Sequence, residues 1–197
     1  MIQKKEIRRN LRTSEPEEIA KRSGARFEEG EIRVKFFDEE FQVKTPEFEV
    51  KQSSDPEKRH LAELILNYLS LANFPSGSGE WIAFREIPHG DFYSSNFKKN
   101  TENRLSRKFQ NGREKFVLVS EKLGGEKIDM GDSGYAFQAL PRFKIALVFW
   151  SGGDEFRDKV NVLFEKPAPE CLTPEGLSLL GKKFCNRFVE EAEGQKP

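Results

Sequence analysis

Ile145-Ala146-Leu147-Val148-Phe149-Trp150 is apolar at every position, so an extended chain there is hydrophobic on both faces. Six residues suit a strand and are short for a helix, and the β-branched and aromatic content agrees. Such a strand belongs in a sheet interior, with a layer on each side. The flanking segments alternate instead. Tyr135, Phe137 and Ala139 precede it across Pro141, and Val160, Val162 and Phe164 follow it across Ser151-Gly152-Gly153-Asp154. A three-stranded antiparallel unit with the quoted segment in the middle is the simplest arrangement, with the Gly-Gly pair as a hairpin turn.

An earlier stretch, residues 26–52, also has period two. Ile32, Val34 and Phe36 alternate with Glu31, Arg33 and Lys35; Phe41 and Val43, then Phe48 and Val50, continue the pattern. This predicts a meander of short strands with one wet face. Between the two β regions the sequence predicts helices. Asp55-Pro56 opens the strongest, which runs to Asn73 with Leu61, Leu64, Ile65, Tyr68 and Ala72 on one stripe and Leu66, Leu69 and Leu71 widening it. A stripe that wide marks a central helix covered on more than one side. Residues 98–112 and 113–123 predict two further helices. Thr173-Pro174-Glu175 starts a last one, with Leu177, Leu180, Phe184 and Phe188 at helical spacing. Near the N-terminus, Ser14-Glu15-Pro16-Glu17 predicts a helix capped by Ser14 and stopped at Gly24. Residues 1–13 read as a tail or loosely docked segment, and 14–193 as a single domain. Strand runs separated by helix runs give an α+β fold: an antiparallel sheet built from two β-meander regions, packed by a central helix and a C-terminal helix.

The 197 residues include 33 basic and 33 acidic side chains, which cancel. No global field then attracts nucleic acid or an anionic membrane. No apolar run approaches the ~18 residues of a membrane span, and the first residues lack a signal-peptide apolar region. The reading is a soluble, cytoplasmic protein with an unknown small molecule or protein as partner, and neither nucleic acid nor membrane. Charged residues reach 34%, which on its own suggests disorder. Eighteen phenylalanines argue otherwise, since each buried ring contributes about 1.5–3 kcal/mol. Cys171 and Cys185 form neither a disulfide framework nor a metal motif and read as reduced structural thiols.

Chemistry-bearing residues concentrate in residues 79–93, which read as a non-repetitive connection. Glu86, His89 and Asp91 are suitable for a metal or acid–base cluster, although the histidine spacing of the zincins is absent. Against this stands a solvated loop with Glu86 paired to a cation. Trp81, Phe84, Phe92 and Tyr93 suit an aromatic pocket or, alternatively, core anchors; the polar tips of Trp81 and Tyr93 favour a cleft. Arg85 and Arg142 suit an anion clamp or structural ion pairs. Ser151-Gly152-Gly153-Asp154 lacks the Gly-Lys-Ser/Thr ending of a phosphate loop. No nucleophile motif is present.

Several ordered blocks carry a family resemblance. They are Trp81-Ile82-Ala83-Phe84-Arg85-Glu86-Ile87 with Tyr93 and Phe97, Leu123-Gly124-Gly125, Gly131-Asp132, and Phe137-Gln138-Ala139-Leu140-Pro141-Arg142. Trp150-Ser151-Gly152-Gly153-Asp154-Glu155-Phe156 and Val162-Leu163-Phe164 complete them. In these the chain resembles the DUF3786 family of uncharacterised bacterial and archaeal proteins. The resemblance implies an association with anaerobic microbes and transfers no catalytic residue. Some similar proteins carry an added cysteine-rich segment that looks like an iron–sulfur site. Two cysteines do not supply four thiolates, so no iron–sulfur cluster is expected within this chain, and its cofactors are unknown.

Three functions follow as expectations. The first is a ligand- or protein-binding accessory module of anaerobic metabolism, with a cleft between residues 81–93 and 152–154. Its candidate binding residues are Trp81, Arg85, Glu86, His89, Asp91, Tyr93, Arg142 and Asp154. The second is a metal-assisted or acid–base enzyme centred on Glu86, His89 and Asp91. The third is a self-associating scaffold.

Overall fold

The computed structural model describes residues 4–51, 56–72, 77, 79–153 and 155–194. The chain begins with α1 (Lys4–Leu11) and α2 (Pro16–Ser23), followed by strands β1 (Arg26–Glu28), β2 (Glu31–Phe36), β3 (Glu39–Lys44) and β4 (Glu49–Val50). Helix α3 (Pro56–Leu71) leads to β5 (Trp81–Ala83), a 3-10 turn at Phe84–Glu86, and helices α4 (Asp91–Asn100), α5 (Glu102–Lys108) and α6 (Arg113–Lys122). Strands β6 (Glu126–Ile128), β7 (Ser133–Leu140), β8 (Phe143–Trp150) and β9 (Lys159–Glu165) follow, then α7 (Ala168–Cys171) and α8 (Pro174–Gly194).

The fold is α+β. The strands form two antiparallel sheets, ordered β1-β2-β3-β4 and β5-β9-β8-β7-β6. The single sheet expected from the two meanders is thus divided. Alternation specifies strands and their faces, not which strands share a ladder. Where the sheets meet, the Phe37 N–H donates to the Ala139 carbonyl (3.0 Å), beside an irregularity in β7 between Gln138 and Leu140.

β8, the doubly apolar strand, is the central strand of the second sheet, flanked by β9 and β7. Ile145, Ala146, Leu147, Val148 and Phe149 are all buried, and only Trp150 at its end is substantially exposed. Its two faces differ. On one, rings from the helices pack against the strands: Phe97 of α4 on Phe164, Phe116 of α6 on Phe149, and Phe184 and Phe188 of α8 on Phe137. On the other, small residues dominate the middle; Ala136 lies opposite Ala146, and Ala146 opposite Leu163. The loop after β6 crosses this second face. A Cβ at Gly131 would lie 2.5 Å from Val148 Cγ1, so only glycine, also at φ 62°, fits there.

Among the described residues, thirteen of seventeen phenylalanines are buried. At about 1.5–3 kcal/mol each, they supply the driving force that the charged surface lacks. The first sheet contributes Ile32, Val34, Phe36, Phe41 and Val43 to the same continuous core, together with Ile19 of α2 and Leu61, Ile65 and Leu69 of α3. Leu11 of α1 is fully buried in it. The expected cap by Ser14 is not made: the N-cap of α2 is Glu15, which forms no side-chain cap bond, and Ser14 lies one residue earlier, its N–H donating to the Leu11 carbonyl. Gly24 ends α2 in a left-handed conformation, as its position predicts. The Asp55 cap and Asn73 lie outside the described residues.

Candidate functional site

The strand register decides what shares the second face of the five-stranded sheet. Trp81 pairs with Glu165, and Ala83 with Leu163, across β5 and β9. Lys144 and Gln138, and then Ala146 and Ala136, lie opposite one another across β8 and β7, and Ala136 pairs with Glu126 of β6. Side chains two apart on a strand point the same way, so Trp81, Glu165, Lys144, Ala136 and Glu126 all project from this face.

They line a cleft of about 560 Å³ together with Gly79, Ile128, Asp129 and Met130. Its volume is that of a small-molecule site. The floor is Ala136 and one wall is Trp81, which is half-buried. Three carboxylates and one ammonium face it. Lys144 Nζ is paired with Glu126, and Glu165, 4% exposed, accepts the Lys144 backbone N–H through Oε2 at 2.7 Å. Asp129 is exposed on the rim. The cleft is therefore acidic, with an indole as its aromatic surface.

A second cleft, of about 390 Å³, opens at the other end of the face. Trp150, Ser151, Gly152, Phe156, Arg157, Lys159 and Asn161 line it. The clefts share no lining residue, and the Met130–Gly131 crossing covers Val148 between them.

Of the residues singled out in the sequence, Trp81 lines the acidic cleft. Arg85, Glu86, His89 and Asp91 are exposed. Glu86 Oε2 accepts the Ala83 N–H at 2.7 Å, which fastens the 3-10 turn to β5. His89 occupies a left-handed position at φ 60° in the turn before α4, whose N-cap is Gly90. Asp91 and Tyr93 belong to α4, not to a non-repetitive connection. Tyr93 and Phe97, one helical turn apart, both face the core, and that i,i+4 pair is the helix signal the sequence carries here. Among the described residues no three His, Cys, Asp or Glu side chains gather to hold a metal ion.

Arg142 stands in the turn between β7 and β8, at the opposite end of the sheet from Arg85. Lys144 is level with Trp81, and the chain beyond Ala83 runs toward the Trp150 end. The Arg142 guanidinium closes helix α2, donating from Nε to the Arg22 carbonyl (2.9 Å) and from Nη2 to that of Lys21 (2.6 Å). Asp154 lies outside the described residues. Its neighbours Ser151 and Gly152 are held by two other carboxylates. Asp132 Oδ2 accepts the Ser151 N–H (2.7 Å), and buried Asp158 accepts those of Gly152 (2.9 Å) and Asn111 (2.7 Å).

Both cysteines are buried and free. Burial pushes the Cys171 thiol up to about 12, with Glu170 adding to it, and pushes Cys185 up as well. Neither is a nucleophile at neutral pH. Among the described residues no helix is long and apolar enough to cross a membrane.

No curated protein and no solved structure matches the chain. A family model described as a domain of unknown function, DUF3786, matches residues 15–187, and the chain belongs to that family.

Proposed function

We propose that this protein is a non-catalytic binding module, a cytoplasmic accessory factor of anaerobic metabolism, and that its ligand is an organic cation held in the cleft beside Trp81. The observation that carries the reading is the pairing of an indole wall with Glu126, Asp129 and Glu165 in one cleft on the open face of the sheet. An ammonium or guanidinium group is attracted by the face of a tryptophan and by carboxylates, and both attractions strengthen as water is excluded. Lys144 is matched by Glu126, which leaves Asp129 and Glu165 to set the sign of the site. The Glu165 carboxylate is already oriented by a backbone N–H, so little ordering remains to be done on binding. The resemblance to proteins of anaerobic microbes supports the metabolic setting.

Isothermal titration with arginine amide, spermidine and benzyltrimethylammonium tests this. At least one cation should bind saturably, Trp81→Ala should weaken it about tenfold, and Asp129→Asn should lower both affinity and salt sensitivity. Absence of saturable binding by any of the three, or equal affinity in Trp81→Ala, contradicts the proposal.

A further inference from the structure

The Trp150 end of the same face has the opposite character. Trp150 is 46% exposed and Phe156 72% exposed, whereas most rings of this protein are in the core. The backbone after Trp150 is fastened at Ser151 and Gly152. A Cβ on Gly152 would lie 2.1 Å from the Phe156 carbonyl oxygen, so the backbone closes tightly there, and Asp132 and Asp158 fasten the Ser151 and Gly152 N–H groups. Trp150 lies directly opposite Lys159 in the β8–β9 register. Arg157 and Lys159 are both exposed, and among the described residues neither has a carboxylate partner. The lining of this cleft includes two cations and no described carboxylate. Asn161, on its floor, is held by Glu102 Oε1 (3.4 Å) and carries an amide able to donate and accept.

We infer that this cleft is a second binding site, for a planar aromatic ring bearing a phosphate, the chemistry of a nucleotide. The ring stacks on Trp150 and Phe156, and Arg157 and Lys159 take the phosphate, whose charge of about −1.5 to −2 matches two cations. Asn161 lies where it can read a ring edge. The source of such a group is a free nucleotide or the end of a single strand, and both present the same ring and phosphate. The site uses no residue of the acidic cleft and stands or falls separately from it.

The test is a titration followed by tryptophan fluorescence in a Trp81→Phe background, which leaves Trp150 as the sole indole, and by backbone amide shifts. Adenosine monophosphate, adenosine, inorganic phosphate and a single-stranded hexanucleotide serve as probes. The monophosphate should saturate, with shifts at residues 150–161, and adenosine and phosphate alone should each bind at least tenfold more weakly. Trp150→Ala should weaken the monophosphate about tenfold or more, and Lys159→Gln should weaken it severalfold with a shallower salt dependence. Both side chains are solvent-exposed, and unchanged melting temperatures would show that the variants fold. Tighter binding of the hexanucleotide, lost in the same variants, supports the site and identifies the polymer as the source. Three results overturn it: no saturable binding of any probe, binding insensitive to both substitutions, or fluorescence that responds only to protein concentration. The last would mean that a second copy covers the patch.

Discussion

Arg142 Nε donates to the carbonyl oxygen of Arg22 at 2.9 Å, and Arg22 in turn closes the next helix. The Arg22 guanidinium reaches the carbonyls of Leu69 (2.8 Å) and Ala72 (2.7 Å) at the end of α3. Two cations thus neutralise two helix C-termini in series, where the partial negative charge of each dipole accumulates. Tyr68 adds a third tie by donating its hydroxyl to the Ser23 carbonyl (2.5 Å). The relay joins the β7–β8 turn to α2, and α2 to α3.

Removing the relay should cost more than an exposed contact. Arg142→Met leaves two carbonyls of α2 without their charged donor, and the expected loss is about 2 kcal/mol, read as a lower urea midpoint at unchanged slope. Arg22→Met should cost a similar amount. The double variant should depart from additivity by more than about 0.5 kcal/mol, because the two guanidinium groups are linked through the Arg22 backbone.

Gly181 sits in the middle of α8, where alanine is normally the better helix former by about 1 kcal/mol. Here a Cβ would lie 2.6 Å from Phe97 Cε2. That ring cannot retreat, being stacked on Phe84 with centroids 4.1 Å apart and packed against Phe164. Gly181→Ala should therefore destabilise by about 1–3 kcal/mol, the range for overpacking. Gly176→Ala, whose Cβ meets only ordinary contacts from 3.4 Å outward, should be stabilising by about 0.5 kcal/mol. Thermal or urea melts of the pair separate the two outcomes.

The thiols make a prediction with a definite pH sign. Burial raises Cys171 from an ordinary 9.0 to about 12. A raised folded value means that stability is fully present below pH 9 and is lost as pH climbs from 9 toward 12, because the unfolded thiol ionises first. Cys171→Ala should show a shallower alkaline decline than the parent. At neutral pH, Ellman's reagent should find no reactive thiol in the folded protein and two after denaturation.

On the acid side, the Arg187 guanidinium of α8 holds the Asp38 carboxyl below its usual 3.8. The pair is bidentate, and beside it Phe37 stacks on Phe184 with rings 4.8 Å apart. A depressed value contributes above the ordinary pKa and disappears as pH falls through the lower folded value. Asp38 is 63% exposed in its side chain, so the pair contributes in the range of surface ion pairs, under about 1 kcal/mol. Asp38→Asn should be slightly less stable than the parent at pH 7, and the difference should vanish as the pH falls below 3.8 and through the lower folded value.

Some of this architecture could be read from residue order and some could not. The central strand was legible because Ile145 to Phe149 are apolar without alternation, and α8 because Leu177, Leu180, Phe184 and Phe188 keep helical spacing. Helix α4 was not, since Ser94, Ser95 and Asn96 are weak helix formers and only Tyr93 and Phe97 mark its inner face. The division into two sheets depends on pairing, which period two does not encode. Trp81 is legible as an aromatic with a polar tip. The meeting of Glu126, Asp129 and Glu165 with Trp81 is not legible in the sequence, because it follows from the β5–β9–β8–β7–β6 register and not from any spacing along the chain. Trp150 reads in the sequence as a strand end, and its exposure follows only from the fold.

The most direct measurement is a two-dimensional amide spectrum of the isotopically labelled protein titrated with arginine amide. Saturable shifts confined to Trp81, residues 126–130, Lys144 and Glu165, and absent in Trp81→Ala, are the expected result. Shifts that fail to saturate, or that centre instead on residues 85–91, would contradict a cation site on the face of the larger sheet that carries Trp81, Lys144 and Glu165.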